Sequence, residues 1–286
     1  MNNRRFLTWG AIVLLIGCNA FIAFFIFHSD RQEVTVSILD IGQGDSILIE
    51  GPTGIQMLVD GGPGRAVLRR LPKEMNFFDR SLDIVVETHP DADHIGGLAA
   101  VFDRYRVSYF MEPGIPNDTS ATVALAAAVK KEQGLQTITA RRGMRIHLGG
   151  GAYADVLYPD RDVSKLETNN GSIVLHVVYG DTSFMLTGDL PSTEEDWLVL
   201  LDGKSGALKS DVLKAGHHGS KHSTDDAWLA AVEPKIVAIS AGKDNSYGHP
   251  SPEVLARIKN AGAGVVSTIE EGTIRFVSDG ETVVQK

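Results

Sequence analysis

The sequence predicts a mixed α/β fold in which two similar halves each supply a β-sheet, the sheets packing face to face with helices outside. Three observations lead there. Strand-like and helix-like segments alternate from Glu33 onward. An internal repeat relates the first half of that region to the second. Two His-rich polar loops hold equivalent places in the halves, which brings both loops to one edge of the sandwich.

The chain opens differently. Residues from Trp9 to Phe27 carry no charge, and Arg4 and Arg5 precede them. As a helix these residues span about 28 Å, close to a bilayer core. The expectation is one N-terminal transmembrane helix, residues 1–30 as a single-pass anchor in the cell membrane, with the remainder extracytoplasmic by the positive-inside rule. A cleaved signal peptide and a lipoprotein signal ending in Leu15-Ile16-Gly17-Cys18 are the competing readings. Against the second, Asn19 is followed by the apolar run Ala20 to Phe27.

Residues 31–286 read as one domain, since no Gly-, Pro- or Ser-rich linker divides them. Val34, Val36, Ile38 and Ile41 lead into Gly42-Gln43-Gly44-Asp45. Ser46 to Ile49 and Ile55 to Val59 flank Gly51-Pro52-Thr53-Gly54, a hairpin signal. Extended structure is expected at 107–110 and near Gln136, Met144 and Ala154, and a helix over 121–131.

The repeat aligns Ser46-Ile47-Leu48 and Met57-Leu58-Val59-Asp60 with Ser172-Ile173-Val174-Leu175 and Phe184 to Asp189. Asp60 precedes His89 by 29 residues, and Asp189 precedes His217 by 28. Each half then has a His loop, His89-Pro90-Asp91-Ala92-Asp93-His94 in one and His217-His218-Gly219-Ser220-Lys221-His222 in the other. A helical Leu-Ala-Ala-Val follows each loop, at 98–101 and 229–232.

Composition narrows the chemistry. The one cysteine, Cys18, rules out intrachain disulfides and Cys-based zinc sites. Any bound metal must be held by His, Asp or Glu. A net charge of -9 argues against a protein that coats nucleic acid generally. Of nine histidines, six (89, 94, 217, 218, 222, 249) lie in three short polar loops, whereas His28, His147 and His176 read as surface or structural.

His89-x-Asp91-x-Asp93-His94 resembles the His-x-(His/Asp)-x-Asp-His signature of the metallo-β-lactamase fold. Leu39 to Ser46, Thr88 to His94, Leu186-Thr187-Gly188-Asp189, Lys214 to Ser220 and Tyr247-Gly248-His249-Pro250 resemble, in order, the extracytoplasmic β-lactamase-like domain of the ComEC competence proteins. The likeness covers about residues 34–286. The many membrane helices of that family's DNA channel have no counterpart, so a channel would have to come from a separate protein.

The resemblance implies an αββα sandwich and a metal-dependent hydrolase, either a phosphodiesterase or nuclease acting on DNA outside the cytoplasm or a hydrolase of an ester, lactone, thioester or lactam. A non-catalytic membrane-tethered binding module is the third class. By resemblance, His89 and Asp91 bind one divalent ion, Asp93, His94 and His217 a second, and Asp189 bridges them. Asp60 orients ligands from behind, and Asp45 stands with it. Asp91 replaces a His of many relatives, and Asn169-Asn170-Gly171-Ser172 stands where they carry another. Fewer imidazoles and more carboxylates tilt the choice from zinc toward manganese or magnesium. His218, Lys214 or His249 would protonate the leaving oxygen or hold a phosphate. Asn170, Ser172 and Ser220 are candidate substrate contacts.

Overall fold

The computed structural model describes residues 2–28, 32–76 and 78–286, with side chains in the first helix described for residues 8–21. It divides into two units, Met1–Arg31 and Gln32–Lys286. The first contains the helix α1 (Asn2–His28), whose described side chains are all exposed. Among the described residues, no helix is long and apolar enough to cross a membrane.

The second unit is a sandwich of two sheets. Six strands follow one another into the first sheet, β1 (Val34–Ile38), β2 (Ile47–Glu50), β3 (Gln56–Val59), β4 (Ser81–Val86), β5 (Arg106–Glu112) and β6 (Gln136–Thr139). Seven more build the second, β7 (Arg145–Gly149), β8 (Ala152–Tyr158), β9 (Val174–Tyr179), β10 (Thr182–Leu186), β11 (Val212–Lys214), β12 (Ile236–Ile239) and β13 (Gly264–Ser267). The chain then returns to the first sheet as β14 (Ile274–Ser278) and β15 (Val283–Gln285), giving the order β15-β14-β1-β2-β3-β4-β5-β6. The second sheet runs β13-β12-β11-β10-β9-β8-β7.

The repeat is visible in the pairing. In the first sheet an antiparallel hairpin β2-β3 is followed by parallel β4 and β5; in the second, the hairpin β9-β10 is followed by parallel β11 and β12. In both sheets an acidic residue closes the second hairpin strand and the His loop follows its parallel neighbour.

Alternation along the strands sorts the core into three layers. Val36, Ile49, Met57 and Val86 from the first sheet meet Val156, Leu175, Phe184 and Leu186 from the second. The outer face of the first sheet is covered by α2 (Val67–Glu74), the short turns α3 (Ala92–Ile95) and α4 (Leu98–Phe102), and α5 (Ser120–Lys131), with Leu71, Leu98 and Leu125 facing Val85 and Phe110. The second sheet is covered by α6 (Ser192–Asp202), α7 (Asp226–Val232) and α8 (Pro252–Asn260), through Leu198, Trp228 and Ile258. A one-turn α9 (Thr268–Glu271) precedes β14. The αββα layering expected from the repeat and the resemblance is present. Each buried Leu or Val contributes on the order of 1.5–3 kcal/mol, and three such layers hold the strand ends in place.

Candidate metal centre

All the polar strand ends emerge on one side. Asp60 follows β3, Thr88 and His89 follow β4, and α3 carries Asp93 and His94. From the other sheet, Asp189 follows β10, Lys214 ends β11, and a 3-10 turn at Gly216–Gly219 holds His217 and His218. The β1–β2 connection completes the wall. Gly44 there has φ +122°, and a Cβ on it would sit 2.0 Å from the Asp93 carbonyl oxygen. Only glycine permits this approach, which lets the Asp45 N–H donate to that same oxygen at 3.2 Å.

Three histidines are fixed in one tautomer. The Thr88 hydroxyl gives its proton to Asp60 Oδ2 at 2.7 Å, so His89 Nδ1, 3.0 Å from Thr88 Oγ1, must donate to it. His94 Nδ1 donates to Asp60 Oδ2 at 2.8 Å. His218 Nδ1 donates to the Ser240 carbonyl at 3.0 Å. Each ring therefore turns its Nε2 lone pair inward, the arrangement found behind metal-binding imidazoles. Those three Nε2 atoms and Asp189 Oδ1 are buried without a hydrogen-bond partner.

What they face is carboxylate. His94 Nε2 lies 3.3 Å from Asp189 Oδ1, and His218 Nε2 lies 3.3 Å from both Asp189 Oδ2 and Asp93 Oδ2. Lone pairs opposed at this distance repel unless a proton or a cation lies between them. Burial opposes a charged ring, but Asp189 and Asp60 hold His94 well above the ordinary imidazole value. Burial likewise opposes a charged His218, and Asp189 and Asp45 push it up to about 9. One potential ligand atom each from Asp45, His94, Asp189 and His218 fall within 4.8 Å of one another. The donor set, two nitrogens and carboxylate oxygens in a buried cup, fits a divalent cation. His89 continues the cluster, its ring centroid 4.1 Å from that of His94 and its Nε2 3.7 Å from Asp91 Oδ2. Burial and neighbouring His94 keep His89 well below its ordinary value, hence neutral.

Behind this layer Asp60 accepts from the Thr88 N–H at 2.8 Å as well as from the Thr88 hydroxyl and His94. It does so from a left-handed backbone, φ 60°. His217 and His218 are also left-handed, φ 48° and 55°. Such residues cost about 1–3 kcal/mol each and persist where the surroundings over-determine them. Lys214 is fully buried, ion-paired to Asp45, donating to the Gly188 carbonyl at 3.0 Å and 3.7 Å from Asp189 Oδ1. Burial would strip its proton, but Asp45 and Asp189 hold its ammonium above the ordinary lysine value.

The remaining candidates divide. His217 is partly exposed with Nε2 3.7 Å from Asp189 Oδ2, and His249 packs edge-on against it at 5.6 Å. His218, expected as a proton donor, holds the inner place next to Asp93 and Asp189, and His217, expected as the ligand, stands outside it. Lys214 is sealed behind the carboxylates, out of reach of a leaving group. Ser172 Oγ accepts from the Asp189 N–H at 3.3 Å, Ser220 Oγ accepts from the His222 N–H at 3.3 Å, and Asn170 Nδ2 donates to Glu194 at 2.8 Å. These three brace loops in the structure. Ser240 and Thr88 set ring tautomers; nothing in the sequence around Ser240 marks it, while Thr88 opens the Thr88 to His94 motif.

Fold and site together define an αββα protein with a candidate divalent-metal centre at the sheet edge. Residues 39–243 match the family model of the metallo-beta-lactamase superfamily, and the chain belongs to that superfamily. It is similar to ComE operon protein 3 of Bacillus subtilis (strain 168), 31% identical over 91% of this chain and 35% of that protein. Competence protein ComA of Neisseria gonorrhoeae is also 31% identical, over 93% of this chain and 35% of that protein. The chain thus spans about a third of the length of these curated relatives. Among solved structures, CmlA, a diiron beta-hydroxylase from Streptomyces venezuelae, aligns at a TM-score of 0.51 and 15% identity, over 81% of this chain and 52% of that one. That likeness concerns the fold.

Proposed function

We propose that this protein is a divalent-metal-dependent phosphodiesterase acting on DNA outside the cytoplasm, held to the cell membrane by the helix around Trp9–Phe27. The observation that carries the catalytic part is the set of buried, unpaired Nε2 and carboxylate atoms that close on one another across the sheet edge. In this reading His94, His218, Asp93 and Asp189 hold one cation, and His89, Asp91 and Asp189 a second. A cation bound there supplies Lewis-acid charge to a phosphoryl oxygen and lowers the pKa of water.

The chain's own groups do the rest. Lys214 cancels the charge of Asp45, so three ligand carboxylates set against two divalent cations leave one net positive charge, which favours an anionic substrate. The carboxylate-rich set supports manganese or magnesium over zinc. His217 and His249 stand at the rim, where a ring N–H can donate a hydrogen bond to the phosphate. The likeness to a protein named for competence supports a role in that process, and DNA is the substrate proposed within it. The anchor rests on the uncharged run of the sequence.

The test is direct. The full chain with manganese is expected to cleave a simple phosphodiester and DNA, to leave nitrocefin and lactones intact, and to lose its activity in Asp93→Asn. Undiminished turnover in that variant, or hydrolysis of nitrocefin or lactones alone, would overturn the proposal.

A further inference from the structure

A row of rings leads from solvent to the carboxylates. Tyr247 is 69% exposed and stacks on His249, with centroids 5.7 Å apart and planes at 25°. His249 meets His217 edge-on at 5.6 Å, and His217 Nε2 stands 3.7 Å from Asp189.

Core packing does not account for an aromatic at 247, because its ring lies outside all three apolar layers. The loop that presents it is nonetheless tied down from below. The Asn245 side chain accepts from the N–H groups of Tyr247 at 3.2 Å and His249 at 3.0 Å, and donates to the carbonyls of Gly242 at 2.7 Å and His249 at 2.6 Å. The Gly242 N–H in turn donates to Gln43 Oε1 at 3.1 Å, fastening the turn to the β1–β2 connection that forms the site wall. A broad ring on a turn held this way gives up little freedom when a ligand covers it.

We propose that Tyr247 is a stacking platform for a base next to the scissile phosphate of single-stranded nucleic acid. The assignment rests on the phosphodiesterase reading and narrows its substrate. A phosphate seated beside His217 at the rim of the cup places the adjoining nucleoside along the ring row. Every base offers a π-face to such a ring, so the contact is tolerant of sequence. In a duplex that face is covered by neighbouring base pairs, so the strand must be single or locally opened. The stacking needs the ring and not the hydroxyl.

The experiment measures kcat and KM of the full chain with manganese on a short single-stranded oligonucleotide and on the same oligonucleotide made abasic. Tyr247→Ala is expected to raise KM on the normal strand about tenfold, the scale of one base-on-ring contact, with kcat little changed. Tyr247→Phe is expected to match the natural protein, and the abasic strand to show no difference among the three. An unchanged KM in Tyr247→Ala, an equal rise on the abasic strand or a failure of Tyr247→Phe to restore KM would overturn the assignment and leave the phosphodiesterase reading standing. A natural protein inert toward both strands and toward a simple phosphodiester would overturn both.

Discussion

Lys214 and Asp45 form a buried ion pair, and the lysine's other hydrogen bond goes to the carbonyl of Gly188, the residue before Asp189. The ammonium therefore fixes the wall of the cup and the strand end that carries its central carboxylate. Lys214→Met is expected to destabilise the fold by about 3–5 kcal/mol, because it leaves Asp45 buried and unpaired. Lys214→Met combined with Asp45→Asn should recover part of that loss. Urea unfolding of the single and double variants measures it, and a destabilisation under about 1 kcal/mol would contradict the buried pair.

Adjacent histidines should behave differently. His218→Ala removes a nitrogen aimed at Asp93 and Asp189, and is expected to weaken manganese binding by more than about a hundredfold. His217→Ala, at the rim, should weaken it by less than about tenfold. Isothermal titration calorimetry on the two variants separates them. Manganese at about one hundred times its dissociation constant should also stabilise the natural protein by about 2.7 kcal/mol.

Asp60 touches Thr88, His89 by way of Thr88, and His94. Asp60→Asn keeps the volume but supplies an N–H where two donors now converge. Manganese affinity is expected to fall about 10–100-fold while the sheet stays folded, read by calorimetry beside circular dichroism.

Glu195 gives a pH prediction away from the metal cup. It is buried beneath the second His loop, accepting from the N–H groups of Thr224 at 2.8 Å and Asp225 at 3.2 Å. Burial pushes its carboxyl up to about 8 from 4.5. The folded state then binds a proton that the unfolded state has released, so stability falls as pH rises from 4.5 toward 8. Comparing the natural protein with Glu195→Gln by urea unfolding at pH 5.5 and 8, without divalent cations, the natural protein should lose about 1–3 kcal/mol more over the interval. Parallel pH dependence in both would contradict it.

Much of this site is legible in the sequence because sheet geometry makes it so. A period-two strand ending in Asp60 or Asp189, followed by a parallel strand and a His loop, places those side chains at one edge whatever the loops do. Choosing between His217 and His218 needs more. Both stand in left-handed backbone, and the rotation between them, which decides which ring enters the cup, follows from packing around Ser240 and Gly219. The bracing roles of Asn170 and Ser220 depend on Glu194 and on the turn at His222, contacts that spacing does not encode. Lys214 illustrates the opposite limit: the motif offers it as a proton donor or phosphate holder, and its burial against Asp45 is written in no spacing.

The return of the chain to the first sheet has a temporal consequence. Val34 pairs with Ser278, 244 positions later, so one side of β1 stays open until β14 has been made. Contacts of such long range form late and slowly. A polypeptide emerging in order from the ribosome carries both halves of the metal centre well before β14 is in place. A chain interrupted before Ile274 would present the open edge of β1 to its surroundings.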